Sequence, residues 1–599
     1  MTLIDKATKL RLRRNIRLRQ RQVERVTQSA EFEFEKKVIG KLEKLRHVKR
    51  FVASWVILML LLVSVVAAQT VGLSQYYLKS GPVPGGVYNE GMLGTFSNAN
   101  PMYAVGAVDT SVSRLLFSGL FRYDESNTIV GDLAEGYSVD DSGRQYTVDI
   151  KRGLRWHDGK PLTSKDVAFT FNAIKNPDAR SPLFASWQGI NIVTPSANTV
   201  IFQLPNALTA FPYSLTTGIL PAHILGSVPT ASLRSHTFNT TAPVGAGPFM
   251  WSALQLGGNS TPNEASSIIS LKAFPDYNSG RPKLDGFTLH TYDTADKLVS
   301  AYKKKIVEAA AGLQSVPTDI SDNPDSYIYQ FRTTAAVMVF FKTSEGLLAD
   351  RMVRKALVLG SDRERVLSGL GYSAKPVRGP LLDGQLGYDL RYNQPSFNRE
   401  EAAKVLQEAG WVLNTKTGMR EKNGQSLQFQ LLAEDTRDNR RILTELQSQW
   451  KNIGVMMQPS WQQNQADMQG AIETHGYTAL LYGIGIGVDP DVYVYWDSTQ
   501  ADPRSASRLN FSEYKSTAAD TALESGRTRS DSAIRVLRYQ AFQKVWQEDF
   551  PALALYQPNV FYVTRGGDVS GLTEHNVNTD ADRYYSVTDW AVKTGHVPR

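Results

Sequence analysis

No cysteine occurs among the 599 residues. Disulfides, thiol nucleophiles, cysteine-bound metals and lipid attachment through an N-terminal cysteine are therefore all excluded. Also missing are the GxSxG, HExxH and Walker A strings, and the eight histidines (47, 157, 223, 236, 290, 475, 575 and 596) are scattered with no pair at helical ligand spacing. Three short strings imitate the serine β-lactamase set: Ser300 with Lys303, Ser321-Asp322-Asn323, and Lys416-Thr417-Gly418. Ser300 and Ser321 lie only 21 residues apart, too close for the helical region that mechanism places between them. No nucleophile with its base and no metal site can be assembled, so an enzyme is the weakest class. No catalytic residue, cofactor or metal is expected.

Charge is short where it would matter for nucleic acid. The chain carries a net +8, but residues 1–50 hold 16 Lys or Arg against 6 Asp or Glu, a net of +10 that leaves the other 549 residues at −2. The basicity belongs to a tail without a folded nucleic-acid module, and no nucleic-acid partner is expected. Its clustered cations suit the anionic surface of a membrane.

An apolar run follows at once, FVASWVILMLLLVSVVAAQTVGL, from Phe51 to Leu73. Its first 18 residues are uncharged, with only Ser54 and Ser64 polar, which is enough to cross about 30 Å of hydrocarbon as a helix. Lys and Arg are dense before it and absent just after it, so the N-terminus is expected in the cytoplasm and the rest outside the cell membrane. Val66-Ala67-Ala68 offers small residues to a signal peptidase, but the 50 residues ahead of the run favour an uncleaved single-pass anchor over 51–73.

The rest is long enough for more than one core, and 42% hydrophobic residues supply the material for packing. SGPVPGG, Ser80 to Gly86, reads as a linker. Tyr146, Val148 and Ile150 alternate with polar residues as a half-buried strand, and Asp158-Gly159 marks a turn. Thr163 with Asp166 forms a capping box, with Leu162 and Val167 placed as a hydrophobic staple. Further helices are predicted after Asn398, through Ile442, Leu446 and Trp450, and after Asp531, where Ile534, Leu537, Ala541 and Val545 form the expected core face.

GLFRYD (Gly119–Asp124), DLAEGYSVDDSG (Asp132–Gly143) and YTVDIKRGLRWHDGKPLTSKDV (Tyr146–Val167) follow one another in an order that resembles family 5 extracellular solute-binding proteins, the receptors of ABC importers. The resemblance continues through GAGPF (Gly245–Phe249), AFPDYN (Ala273–Asn278), RPKLDGF (Arg281–Phe287), QSQWKNIGV (Gln447–Val455), VDPDVY (Val488–Tyr493) and QEDFPALALY (Gln547–Tyr556). It implies an α/β fold of two lobes, periplasmic-binding-protein-like and of the large family 5 type, behind an N-terminal transmembrane helix. Lobe I is expected over 84–335 plus 560–599 and lobe II over 336–559, with crossings near Gln330–Phe340 and Ala552–Phe561. Many family members are tethered through a lipid-modified cysteine; here the apolar helix takes that place.

By the same resemblance the chain is a monomeric, membrane-anchored receptor, bacterial and extracellular or periplasmic, that delivers peptides or peptide-like solutes to ABC permease subunits from an interlobe cleft. Two alternatives stand beside it: an anchored surface sensor or scaffold, and a receptor for a non-peptide solute such as a sugar or metal chelate. Peptide-binding members carry an acidic residue four positions before the proline of the DP motif, to pair with the ligand's amine. That position here is Ile486, which cannot supply a carboxylate. Asp489 and Asp491 are the substitute anchors considered, with Asp489 equally suited to a turn before Pro490. Tyr482, Tyr493, Tyr495 and Trp496 are candidate pocket walls, Asn100 and Tyr103 candidates from the first lobe, and Phe341 and Trp461 weaker ones. Trp156, His157 and Asp158 read as structural.

Overall fold

The computed structural model describes residues 49–598 apart from 258–264, 314, 464, 503, 506–508 and 567–568. The basic segment, but for its last two residues, lies outside the described residues. Two units are distinguished, Met1–Gly81 with Gly595–Arg599, and Pro82–Thr594.

In the first unit, Lys49–Tyr77 is one helix. Its stretch Phe51–Thr70 has mean hydropathy 2.7, buries none of its side chains in the protein, and is long and apolar enough to cross a membrane. The hydroxyls of Ser64 and Thr70 donate to the carbonyls of Leu60 (2.7 Å) and Ala67 (2.8 Å), so the helix satisfies its own polar groups.

The second unit is built on two large sheets. One runs, in spatial order, Asn576–Val577, Ser326–Thr333, Asn559–Arg565, Ala309–Leu313, Val87–Leu93, Gly286–Tyr292, Ser267–Ala273 and Phe249–Leu256. The other runs Lys375–Pro376, Ala552–Gln557, Ala335–Phe341, Ala479–Gly485, Gln428–Glu434 and Met456–Gln462. The chain passes between them at Thr334 and again at Pro558. These passages are bonded together, for Thr333 donates its N–H (3.1 Å) and its hydroxyl (3.0 Å) to the Pro558 carbonyl.

Apolar content explains the second sheet. In AAVMVFF, Ala335–Phe341, Val339 and Phe341 enter one core while Met338 and Phe340 enter the core on the opposite face. A strand covered on both faces needs such an unbroken run. The first lobe adds a four-stranded antiparallel sheet, Ala134–Val139, Gln145–Ile150, Thr199–Gln203 and Asn191–Ser196. Within it Tyr146, Val148 and Ile150 face inward as their alternation predicts. Arg583 near the C-terminus is joined to this lobe by a buried ion pair with Glu90, which also accepts from Tyr562 and Tyr584, each at 2.6 Å.

The helix Ser164–Ile174 opens with the expected capping box, the Asp166 carboxylate accepting the Thr163 N–H at 2.8 Å. Arg437–Lys451 buries Ile442, Leu446 and Trp450 as predicted. Ser532–Asp549 is capped by Asp531 but packs through a different face: Arg535, Tyr539, Phe542, Gln543 and Trp546 are buried, whereas Ile534 and Leu537 are exposed. The larger rings dominate, because burying an aromatic removes more apolar area from water than burying an aliphatic stripe.

Candidate functional site

The turn Trp156-His157-Asp158 makes structural contacts on both sides. The His157 ring accepts the Gly245 N–H at Nδ1 (3.1 Å), so Nε2 carries the proton and donates to the Gly247 carbonyl (3.0 Å). The imidazole thereby pins GAGPF. Burial pushes its pKa down to about 4, and the hydrogen bond to Gly247 and the charge of Asp158 offset only part of that. Gly245 and Gly247 are needed because their Cα atoms lie against the Leu116 main chain, where a Cβ would stand 2.7 and 2.6 Å from the Leu116 carbonyl carbon. Asp158 turns outward to His223, 2.8 Å away.

The strand Ala479–Gly485 carries the functional interest. Ile484 and Ile486 are buried, whereas Gly483 and Gly485 are exposed, and a Cβ built on Gly485 would meet no atom within 4 Å. The face that carries Ala479 and Leu481 into the core is bare of side chains at its end, at Gly483 and Gly485, which lets another backbone approach closely there. The segment beyond it is pinned at several points. Ile486 and Gly487 donate to the Thr334 carbonyl (2.8 and 3.0 Å), placing the segment on the first crossing. The Gly487 carbonyl accepts from Gln385 (2.8 Å), and the Tyr495 hydroxyl donates back to the Gly485 carbonyl (2.8 Å).

Both aspartates of this loop already have cationic partners. Arg535 Nη2 reaches the two oxygens of Asp489 at 2.6 and 2.8 Å, with both side chains under a tenth exposed. Burial opposes the guanidinium charge, but the bonds and field of Asp489 outweigh it and leave the Arg535 pKa raised. Asp491 pairs with Arg527 at 3.2 Å, and the Arg527 guanidinium lies 4.2 Å over the Tyr493 ring. Burial raises the Asp491 pKa; Arg527 pulls it down, and neighbouring Asp489 adds to the rise. Asp489 is thus engaged through both oxygens, whereas Asp491 meets Arg527 through Oδ2 and its buried Oδ1 accepts no hydrogen bond.

The other candidates separate into core and surface. Asn100, 1% exposed, bonds Asn239 and closes its own turn onto Met102; Tyr103, 5% exposed, donates to the Ala179 carbonyl at 3.0 Å. Both belong to the packing of the first lobe, where their polar ends are consumed. Phe341 is fully buried in the second lobe, and Trp496 is fully buried beside Phe340 and Trp546. These two rings are core, since the aliphatic and aromatic groups around them leave no face for a solute. Tyr482, Tyr493, Tyr495 and Trp461 are part-exposed. Tyr482 and Tyr495 meet over Phe511, whereas Trp461 stands on the edge strand under Arg440.

Between the lobes runs a groove of about 730 Å³. Arg144, Ile190, Leu204 and Leu208 line one side, and Tyr493, Arg527 and Arg529 the other. Arg527 and Arg535 were missed in the sequence, which contains no local signal that helix residues 36 to 46 positions away would take the charge of Asp489 and Asp491.

Two lobes on two sheets, joined by two bonded crossings with a lined groove between them, define a solute-binding protein of the hinged, two-lobed class. Residues 128–526 match the model of bacterial extracellular solute-binding proteins, family 5 (middle region), and the chain belongs to that family. It is 29% identical to the oligopeptide-binding protein AppA of Bacillus subtilis over 509 residues, 80% of this chain and 87% of that one. Protein XP55 of Streptomyces lividans is 25% identical over 449 residues, 72% and 77% of the two chains. The structure of B. subtilis AppA in complex with a nonapeptide superposes with a TM-score of 0.69 at 25% identity, covering 86% of this chain and all of that one. NikZ from Campylobacter jejuni in complex with Ni(L-His) shares the fold, with a TM-score of 0.70 at 22% identity over 84% and 99% of the chains.

Proposed function

We propose that this protein is the membrane-anchored substrate-binding component of an ABC importer and takes peptides or peptide-like solutes between lobes 84–335 plus 560–599 and 336–559. The observation that carries the peptide reading is the likeness to AppA, known in complex with a nonapeptide, over 86% of the chain. The side-chain-free face at Gly483 and Gly485 supports it, since a peptide main chain can lie where no Cβ intervenes. Tyr482, Tyr493 and Tyr495 supply contact area that tolerates varied side chains, with Trp461 a more distant candidate. With Asp489 and Asp491 neutralised, orientation of the ligand rests on backbone groups and rings rather than on a carboxylate for its amine. Phe51–Thr70 anchors the receptor beside its permease, and the basic N-terminal segment contacts the cytoplasmic lipid surface.

Native mass spectrometry of the full chain in detergent tests the class of solute. Release of a ladder of peptides on denaturation is the expected result, with stabilisation on adding a peptide mixture. Release of a sugar or metal chelate, or the absence of stabilisation by peptides, would overturn the peptide reading and leave the family assignment standing.

A further inference from the structure

The helix Thr517–Thr528 ends with carbonyls that its own turns cannot satisfy. Their donors come from elsewhere in the chain. Arg535 Nε donates to the Gly526 carbonyl (2.8 Å) within the second lobe. The next two bonds cross between lobes: the Thr209 N–H reaches the Arg527 carbonyl (3.0 Å), and the Thr209 hydroxyl reaches the Arg529 carbonyl (2.9 Å). A single threonine of the first lobe thus caps the helix of the second in trans.

The same helix end is wired to the Ile486–Tyr493 loop. Arg535, which holds the Gly526 carbonyl, grips Asp489 with its other end. Arg527, whose carbonyl takes the Thr209 N–H, pairs through its side chain with Asp491 and covers Tyr493. At its other end the loop is bonded to the Thr334 carbonyl at the crossing, and the Thr334 hydroxyl donates to Asn578 of the first lobe at 2.5 Å. One loop therefore touches both the hinge and the lip.

The geometry points to Thr209, Arg527 and Arg535 as positioning residues of a closure latch, in which the Asp489–Tyr493 loop sets the helix end that Thr209 locks across the groove. Opening the lobes breaks both Thr209 bonds and returns the helix carbonyls to water. A displaced loop moves Arg527 and releases the same bonds. The latch depends on no particular solute and stands whether the ligand is a peptide or not.

Because the chain has no cysteine, Ser142→Cys and Ser530→Cys, exposed positions flanking the latch in the two lobes, can carry a unique pair of spin labels in the full chain held in detergent. Without added solute, the short-distance population measures closure. Thr209→Val, which removes one hydrogen bond and keeps the shape, should lower the closed-to-open ratio about five-fold, while Thr209→Ser restores it and the melting temperature stays unchanged. Asp491→Asn should lower the ratio as well, and combined with Thr209→Val should do less than the product of the two, because both act on one contact. A wild-type distribution without the short distance, an unchanged ratio in Thr209→Val, or independent effects of the two substitutions would each overturn the latch.

Discussion

Replacing Asp489 by Asn separates a ligand anchor from a structural ion pair. The carboxylate meets a single Arg535 nitrogen through both its oxygens, at 2.6 and 2.8 Å, and the two side chains are 9% and 7% exposed. Removing one partner of such a pair leaves a charge without compensation, a loss of about 3–5 kcal/mol. Arg535 keeps its bond to the Gly526 carbonyl, and Asn can still accept one hydrogen bond, so the expected loss lies near about 3 kcal/mol. Unfolding entropy is about 2.1 cal/mol/K per residue, which over roughly 500 residues gives about 1 kcal/mol/K. The melting temperature of Asp489→Asn should therefore fall by about 3 °C for a single cooperative transition. Calorimetry reads this, and titration with a peptide mixture at a temperature where both proteins are folded reads affinity. A variant that melts like the wild type but has lost peptide binding would refute the reasoning, because Asp489 would then act on the solute and not on Arg535.

Gly245→Ala should yield little folded protein, since its Cβ collides with the Leu116 carbonyl; a yield and circular-dichroism spectrum like the wild type would contradict the close approach. Trp496→Ala should cost about 3–5 kcal/mol of unfolding free energy, read by denaturant titration, as expected for an emptied core site, whereas Tyr493→Ala should weaken solute binding more than stability. His290 is 7% exposed, and burial pushes its pKa from 6.5 down to about 4, so above pH 6.5 it is neutral in both the folded and unfolded states. Below pH 6.5 the unfolded chain binds the proton first, and stability is lost as pH falls from 6.5 to 4, by at most about 3 kcal/mol from this residue. His157 adds a loss of the same sign, and His290→Leu should flatten the urea-midpoint profile across that window.

Much of the local structure is legible in the sequence alone. Thr163 with Asp166, the alternation of Tyr146, Val148 and Ile150, and the uncharged run from Phe51 depend on neighbours within a few residues, which is the range over which caps, pleats and apolar length operate. The candidate site was less legible. The DP motif of the resemblance drew attention to the Ile486–Trp496 loop, yet the state of its carboxylates depended on Arg527 and Arg535, and a charge is neutralised by whatever the fold brings beside it.

The helix Ser532–Asp549 shows the same division. Its sequence contains two stripes with helical spacing, one through Ile534 and Leu537 and one through Tyr539, Phe542 and Trp546, and periodicity does not rank them. The core it shares with Met338, Phe340 and Leu480 of the second sheet accepted the aromatic stripe. The sequence by itself thus determined the family, the capped and alternating elements and the apolar helix, because each is written in contiguous residues. Only the tertiary structure decided that His157 holds Gly245, that Asp489 belongs to Arg535 and that Thr209 closes on the far lobe, because each pairs groups dozens to hundreds of residues apart whose meeting depends on how the sheets stack.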